Sequence, residues 1–247
     1  MPIDFHAEKN RYTYATREAD PSWRHTITVI VDPRGKRVVD VGCGGGTYSQ
    51  AWAQLGAAEV IGIDFSEQMV QAAAERLRDG ANISFHIGSA LSTGLRRGCA
   101  DIVFERALVH HIADLSACLY EAYRVLGPNG VYIIQDRTPD DVQMVGSREH
   151  MRGYFFERFP HLLAGEACRR PRQEALENRL RRVGFATTET LTFWETRQVY
   201  PNFAALAEDL KERTGRSILH ELNDTEVAES FSSCKSDRFY LRASAAR

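Results

Sequence analysis

The sequence predicts an α/β fold in which helices cover both faces of a mostly parallel sheet. Short β-rich segments alternate with segments of helical periodicity, and this alternation is typical of βαβ units. A glycine-rich turn follows the first β-rich segment directly. The chain of 247 residues is long enough for one large domain of this class. We predict the first five strands at residues 37–42, 59–64, 82–87, 101–105 and 131–136.

The segments between these strands place apolar residues at helical spacing. Ser66 is positioned to cap the helix after the second strand, and residues 79–80 form the turn that ends it. The apolar face of that helix consists of Val70, Ala73, Ala74 and Leu77. Before the fifth strand, a stripe that we interpret as a packing surface consists of Leu115, Leu119, Ala122 and Leu126. The turn at 127–130 ends this second helix.

The second half of the chain predicts a helical insertion and two further strands. Residues 137–183 are too many for an ordinary connection between a strand and a helix. Residues 187–196 alternate and are rich in threonine and aromatic residues, as in a sixth strand, and residues 238–243 predict a seventh. We expect a single domain, 1–247, made of an N-terminal lid segment 1–32, a cofactor-binding core 33–136, the insertion 137–183 and a closing segment of strands and helix 184–247.

The charge pattern disfavours a polyanionic partner. The formal net charge is −2 at pH 7, so the composition gives no overall attraction to nucleic acid. Glutamates are interleaved with the arginines of the one local basic region, so we interpret it as a solvated helical surface and expect no nucleic-acid partner. The arginines of this region are Arg169, Arg170, Arg172, Arg179, Arg181 and Arg182.

The cysteine and hydropathy patterns predict a cytoplasmic protein. The 5 cysteines are odd in number and scattered, without a C-x-x-C pair, so we expect reduced thiols and no metal site. The first residues lack the apolar region of a signal peptide, and no apolar run approaches the roughly 18 residues that span a bilayer. We therefore expect no membrane insertion, and a monomer and a homodimer both remain open.

A hydrophobic strand runs directly into four glycines and then a helix at residues 38–47. Glycine adopts positive φ and has no side chain, so Gly42 and Gly44 allow the backbone to turn tightly beneath a ligand. Asp40 precedes them, where it would repel a pyrophosphate and suit a cationic group. The pattern indicates a cofactor site, although the loop taken alone is also compatible with a plain βα turn.

Asp64 ends the second predicted strand, about 20 residues beyond the loop. A carboxylate at this position accepts hydrogen bonds from ribose hydroxyls, so the two features together indicate a cofactor that contains a nucleoside. An NAD-dependent oxidoreductase shares this logic, but its G-x-G-x-x-G/A loop admits a pyrophosphate. Thr47 occupies the third glycine position here, and together with Asp40 it argues against NAD.

These motifs resemble those of the class I S-adenosylmethionine-dependent methyltransferases, in particular the ubiquinone and menaquinone biosynthesis-like group (methyltransferase domain type 11). The resemblance covers residues 37–241 and includes the segments 105–111 and 126–130. It implies a Rossmann-like sheet of seven strands and methyl transfer from S-adenosyl-L-methionine to a small-molecule acceptor, with S-adenosyl-L-homocysteine as product. Ser89 departs from the pattern, because the family often has aspartate there.

The resemblance also implies the residues of the cofactor site. The loop would lie under the methionine part, Asp64 would bind both ribose hydroxyls, and Phe65 and Met69 would flank the adenine. The implied cofactor residues are Asp40, Gly42, Cys43, Gly44, Asp64, Phe65, Met69, Ser89, Ala90 and Glu105.

The acceptor side depends on fewer observations. His110 and Asp136 are the predicted catalytic residues, because an imidazole and a carboxylate at this edge of the sheet can take up or orient a proton. A structural role for His110 and a capping role for Asp136 are the competing interpretations. Two further residues, Arg106 and His111, are expected beside the substrate.

The N-terminal segment is expected to cover the site. A lid would exclude water during transfer, and its predicted residues are Tyr12, Tyr14, Arg17 and Trp23. Packing of these side chains on the outer helices is the alternative. In the insertion, an acceptor cavity or the insertion's own core would be formed by Arg152, Tyr154, Phe155 and Phe156.

Two other classes of function remain open for the whole chain. An NAD-dependent oxidoreductase would bind NAD(H), whereas a non-catalytic regulator would bind S-adenosylmethionine without consuming it. Methyl transfer is an in-line displacement that needs few catalytic residues, so the sequence does not identify the acceptor atom.

Overall fold

The computed structural model describes residues 18–77, 80, 82–147, 150–213, 216–234 and 241–246. These residues form two units. The sheet unit takes its described residues from Phe5–Asp136 and Pro171–Leu191, and the helical unit from Arg137–Arg170 and Thr192–Arg247. In these parts of the chain, no helix combines the length and the apolar character that a membrane crossing requires.

The sheet unit contains five parallel strands in the order β3-β2-β1-β4-β5. The strands are β1 (Arg37–Val41), β2 (Glu59–Asp64), β3 (Ile83–Ile87), β4 (Ala100–Arg106) and β5 (Leu126–Gln135). From the central β1 the chain continues to β2 and β3 on one side of the sheet, and then crosses to β4 and β5 on the other side. The carboxyl ends of β1 and β4 therefore flank the switch point at which open α/β sheets bind ligands. Each of the first five predicted strands is confirmed.

The helices follow the strands in the alternation that the sequence predicts. They are α1 (Pro21–Ile30), α2 (Thr47–Gln54), α3 (Glu67–Glu75), α4 (Leu115–Val125), α5 (Pro139–Val142), α6 (Met151–Arg158), α7 (Pro160–Cys168), α8 (Gln173–Val183), α9 (Phe203–Lys211) and α10 (Asp224–Cys234). The Ser66 side chain accepts a hydrogen bond from the Met69 amide and caps α3, as predicted. The predicted stripe on α4 is buried at Leu115, Leu119 and Ala122.

Both faces of the five-stranded sheet are covered. On one face, Val103 of β4 packs in an apolar cluster with Cys118 and Val125 of α4. On the other face, the ring of Phe104 lies 5.7 Å from Trp23 of α1 and 5.5 Å from Trp52 of α2. Successive residues of a strand point to opposite faces, so β4 contributes to both cores.

The helical unit has its own apolar core. Its fully buried side chains include Phe155, Leu206, Leu210, Ile218 and Leu219. This unit also contains the strands β6 (Phe193–Tyr200) and β7 (Leu241–Ala246), which pair antiparallel. Phe155 and Phe156, which the sequence offered for a cavity or a core, are both buried in this cluster.

The expectation of a seven-stranded sheet is wrong for the described residues. β6 and β7 form a separate two-stranded sheet, and the main sheet has five strands. Alternation identifies a strand but not its partner, because the partner depends on which edge the chain reaches. The sixth strand also begins later than predicted, at Phe193. Residues 187–192 are mostly exposed, so they lack the buried side-chain face that fixes a strand in register.

Candidate active site

The glycine loop between β1 and α2 wraps against the end of β2. The amides of Gly42 and Cys43 both donate to the Ile63 carbonyl, at 2.7 and 3.0 Å. Gly42 and Gly44 adopt φ of +72° and +51°, the left-handed region that glycine tolerates best. Arg76, which the sequence did not single out, donates to the Gly45 carbonyl at 2.8 Å and fixes the far side of the loop. The loop is therefore held from both sides.

Asp64 joins the loop to the end of β2. Its Oδ2 accepts a hydrogen bond from the Gly44 amide at 2.8 Å, and its Oδ1 accepts one from the Ser66 amide at 2.9 Å. The residue is 6% exposed. An ionised carboxylate accepts several hydrogen bonds, and ribose hydroxyls are donors of the kind that it accepts. This donor and acceptor set fits the nucleoside of S-adenosylmethionine.

Asp40 lies at the end of β1, buried behind the loop. Its Oδ2 accepts a hydrogen bond from Ser49 Oγ of α2 at 2.6 Å. The pKa of Asp40 is raised to about 7, chiefly by burial and in part by the negative charge of Asp64, whereas the Ser49 hydrogen bond and the Arg106 guanidinium oppose the rise. Two carboxyl groups therefore lie close together beside the loop. A cationic ligand would favour their ionised forms.

Apolar side chains surround the ends of β2 and β3. Met69 is 1% exposed and Phe65 is 50% exposed, so the two residues predicted to flank the adenine differ in accessibility. Ile87 and Leu91, which the sequence analysis missed, are 58% and 43% exposed. Exposed apolar side chains of this size at a ligand-binding sheet edge suit a flat aromatic ring. Their only signal in the sequence was their position, with Ile87 at the end of the third strand and Leu91 shortly after it.

The remaining predicted cofactor residues have local partners. Ser89 Oγ accepts from the Leu91 amide at 3.1 Å, and Ala90 is buried in the core cluster of the sheet unit. Cys43 is also buried. Glu105 is 1% exposed, and both its carboxylate oxygens lie 3.5 Å from Cys118 Sγ of α4. The contacts of Glu105 are therefore with the core, and its role in cofactor binding stays a prediction.

His110 and Asp136 form a hydrogen-bonded pair. His110 lies in a short 3₁₀ turn, Val109–His111, after β4, and Asp136 directly follows β5. The distance from His110 Nδ1 to Asp136 Oδ2 is 2.6 Å, with side chains 6% and 9% exposed. His111 is exposed, and its ring centroid lies 4.1 Å from that of His110. The structure thus brings together the two predicted catalytic residues, 26 positions apart in the chain.

Arg106 and Trp23 lie on the opposite face of β4 from Glu105. The Arg106 guanidinium carbon lies 4.2 Å from the centroid of the Tyr48 ring of α2. Trp23 is fully buried, and its Nε1 donates to Gln135 Oε1 at 2.9 Å. For Trp23 the structure shows the packing role that the sequence left as the alternative to a lid. The other lid residues, Tyr12, Tyr14 and Arg17, lie outside the described residues.

A five-stranded parallel sheet with a glycine loop and a buried carboxylate at its switch point fits the cofactor-binding core of a class I methyltransferase. Residues 32–162, just over half of the chain, match the family described as a methyltransferase domain. The chain belongs to this family, and the resemblance to S-adenosylmethionine-dependent methyltransferases is confirmed. Its cofactor is accordingly S-adenosylmethionine.

Two ubiquinone biosynthesis O-methyltransferases are among the similar curated proteins. That of Xanthomonas axonopodis is 31% identical over 117 residues, which cover 46% of this chain and 48% of the relative. That of Cereibacter sphaeroides is 30% identical over 147 residues, which cover 58% of this chain and 59% of the relative. The chain spans about half the length of the curated relatives it matches.

Solved structures show the same fold. A protein of Anabaena variabilis described as a methyltransferase from an antibiotic biosynthesis pathway aligns with a TM-score of 0.69 at 22% identity, over 88% of this chain and 85% of that one. A methyltransferase-like protein of Bacillus halodurans aligns with a TM-score of 0.58 at 20% identity, over 90% and 94% of the two chains. At these identities the likeness concerns the fold alone.

Proposed function

We propose that this protein transfers the methyl group of S-adenosylmethionine to a hydroxyl group of a small-molecule acceptor, with His110 as the general base. The observation that supports this most directly is the 2.6 Å contact between His110 Nδ1 and Asp136 Oδ2 at the carboxyl edge of the sheet. The glycine loop and Asp64 lie at the same edge, after β1 and β2. A cofactor site and a base–carboxylate pair therefore share one edge of the sheet unit.

The pair favours one tautomer of the imidazole. An ionised Asp136 accepts a hydrogen bond, so His110 Nδ1 carries the proton and Nε2 carries the lone pair that removes a proton. Asp136 then stabilises the imidazolium that forms, and it acts as a positioning residue. A general base is useful only when the acceptor atom carries a proton that must leave.

The cofactor supplies an electrophilic methyl group on a sulfonium centre. As the acceptor oxygen took up this methyl group, with S-adenosylhomocysteine as the leaving group, the hydroxyl proton would pass to His110 Nε2. The residues of this chain bind and orient. Asp64 would accept hydrogen bonds from the ribose hydroxyls, Asp40 would favour the cationic part of the cofactor, and the exposed ring of Phe65 would flank the adenine.

An oxygen acceptor is favoured over the other acceptor atoms for two reasons. The similar proteins of Xanthomonas and Cereibacter are named O-methyltransferases. A phenol or enol hydroxyl also has a proton that a histidine can remove near neutral pH as the carbon–oxygen bond forms.

The first experiment is a calorimetric titration with S-adenosylmethionine, S-adenosylhomocysteine and NAD, followed by turnover with a panel of phenolic and enolic acceptors. Product S-adenosylhomocysteine is measured by mass spectrometry. We expect binding of the first two ligands and turnover of at least one acceptor. Binding without turnover across the panel would favour the non-catalytic regulator.

The base assignment is tested with His110→Gln and Asp136→Asn, and with His25→Gln as the control. His25 is exposed on α1. We expect His110→Gln to lower kcat by about 10²- to 10⁴-fold, the usual contribution of a general base, while cofactor affinity stays within about twofold. Asp136→Asn should lower kcat less and shift its pH profile. Wild-type turnover by His110→Gln would contradict the assignment.

A further inference from the structure

Arg76 ends α3 and reaches back to the glycine loop of the sheet unit. Its backbone adopts φ −91° and ψ −4° at the C-cap of the helix. Its side chain is partly buried, and Nη1 donates a hydrogen bond to the Gly45 carbonyl at 2.8 Å, across 31 positions of the chain. Burial lowers the pKa of this guanidinium, and the charge of Glu18 opposes the change. An arginine stays protonated at any accessible pH, so the donor to the loop is a cation.

The glycine loop has few means of its own for holding one conformation. Gly42, Gly44 and Gly46 adopt φ of +72°, +51° and +75°. Gly46 is also the N-cap of α2, and it makes no side-chain cap hydrogen bond. Peptide groups flanked by glycines can rotate at little cost, so hydrogen bonds from outside the loop have to select one conformation.

The peptide group between Gly45 and Gly46 is held at both ends. Its carbonyl accepts the hydrogen bond of Arg76, and its amide, that of Gly46, donates to the Cys43 carbonyl at 3.0 Å. The carbonyl and the amide of one trans peptide point in opposite directions. A rotation of this peptide would therefore break both hydrogen bonds at once.

A second peptide group continues the contact to Asp64. The Cys43 carbonyl, which accepts from Gly46, shares a peptide with the Gly44 amide, and that amide donates to Asp64 Oδ2 at 2.8 Å. A chain of three hydrogen bonds thus runs from the Arg76 guanidinium to the Asp64 carboxylate. Its cationic end donates and its anionic end accepts, so each hydrogen bond polarises the next in the same direction.

We propose that Arg76 is a positioning residue for S-adenosylmethionine, which acts through the two loop peptides to hold the Asp64 carboxylate in its binding orientation. This role rests on Asp64 as the ribose ligand, and it does not depend on the acceptor or the base of the proposed methyl transfer. Without the guanidinium, the peptide between Gly45 and Gly46 loses the donor to its carbonyl, and the loop samples conformations in which the Gly44 amide leaves Asp64. The cofactor then binds only a fraction of the molecules, which lowers its apparent affinity.

The test is calorimetric titration of the full chain with S-adenosylhomocysteine, which carries no methyl group to transfer. Arg76→Met removes the donor and keeps most of the length of the side chain, whereas Arg76→Lys keeps a cationic donor. Arg97→Met is the matched control, because Arg97 is an exposed arginine of the sheet unit in the turn before β4. We expect Arg76→Met to weaken binding about tenfold or more, the scale of a charge-assisted hydrogen bond. Arg76→Lys should lose less than about threefold, and the control should stay within about twofold of wild type.

A second measurement follows the chain of hydrogen bonds itself. In ¹⁵N-labelled protein without ligand, Arg76→Met should shift the amide resonances of Gly46 and Gly44 more than that of Gly42. The Gly42 amide belongs to the same loop, but it donates to the Ile63 carbonyl and lies outside the chain of hydrogen bonds. A merely structural role for Arg76 would not single out the other two amides.

Three results would overturn this role for Arg76. They are wild-type affinity in folded Arg76→Met, a Gly44 resonance that moves no more than that of Gly42, and equal losses of affinity in Arg76→Met and Arg76→Lys. Equal losses would mean that the shape of the side chain matters rather than its donated hydrogen bond. Arg76 is only partly buried and lies at a helix end, so its variants should fold, which circular dichroism verifies. Because the titration contains no acceptor, its failure leaves the proposed methyl transfer untouched, and Asp64→Asn tests the ribose assignment separately.

Discussion

Replacing Glu105 by glutamine tests whether the sheet unit buries an ionisable carboxyl group. Glu105 is 1% exposed and lies on the face of β4 that packs on α4. The pKa of Glu105 is raised to about 7, chiefly by burial and in part by the charge of Asp136, whereas interactions with Tyr132 and Cys118 oppose the rise. The change to glutamine preserves the shape of the side chain and removes its ability to ionise.

The effect on stability depends on pH in a defined direction. In the unfolded chain the pKa of Glu105 has its ordinary value of 4.5, so between pH 4.5 and about 7 the unfolded state has released a proton that the folded state retains. The contribution of this group to the free energy of unfolding is therefore most favourable below pH 4.5 and declines as the pH rises through 7. A rise of the pKa from 4.5 to about 7 corresponds to a loss of about 3 kcal/mol in the free energy of unfolding, at about 1.4 kcal/mol per pKa unit.

Urea unfolding of wild type and Glu105→Gln between about pH 5 and pH 8 measures this loss. We expect the variant to gain stability relative to wild type as the pH rises, by less than about 1 kcal/mol at pH 5 and by about 3 kcal/mol at pH 8. Glu59→Gln, at the exposed start of β2, is the control and should show a nearly constant difference from wild type. If the free energies of unfolding of wild type and Glu105→Gln differ by the same amount at every pH, the raised pKa of Glu105 is refuted.

Two further predictions concern the loop and its carboxylate. Asp64→Asn retains one side-chain oxygen for the loop amide but loses the negative charge. Calorimetry should therefore show that the affinity for S-adenosylmethionine falls about tenfold or more. Unchanged affinity in a folded variant would show that Asp64 does not bind the ribose. Gly46→Ala adds a Cβ 2.6 Å from the Phe85 ring at φ +75°, whereas Gly35→Ala at φ +72° meets nothing within 4 Å. Urea unfolding should show a loss in the free energy of unfolding of about 1 kcal/mol for Gly35→Ala and about 1 to 3 kcal/mol more for Gly46→Ala. Equal losses would mean that the Phe85 ring moves away from the added Cβ without measurable cost.

The parts of the fold and site that the sequence predicts are those set by local chemistry. A β-rich run that ends in glycines predicts a strand and a tight turn wherever it occurs, and Asp64 follows from the position of the next strand. Ser66 predicts the start of α3 because a hydroxyl at that position caps the first amides of a helix. These inferences need only a few neighbouring residues, and the structure agrees with each of them.

The parts that escaped prediction depend on contacts between distant residues. The hydrogen bond of Trp23 to Gln135 joins positions 112 residues apart in the chain, and no local sequence pattern predicts it. Arg170 resembles any surface arginine in a stretch of mixed charge until Glu166 is seen buried beside it. The separate pairing of β6 with β7 is of the same kind, because residue alternation identifies a strand without naming its neighbour.

The meeting of His110 and Asp136 shows how a local irregularity sets a long-range geometry. In the pairing of β4 with β5, Ala100 lies opposite Leu126 and Ile102 lies opposite Val131, so residues 127–130 form a bulge against a single residue of β4. Asn129 reaches φ +60° within it. Beyond the bulge the register is regular up to the last pair, Arg106 and Gln135, which places Asp136 beside the residues that lead from β4 into the turn containing His110. A bulge shorter or longer by one residue would shift β5 by about 3.3 Å and reverse the faces of its side chains. The glycine- and proline-containing turn, which the sequence presents only as a helix end, therefore determines whether the proposed base meets its carboxylate.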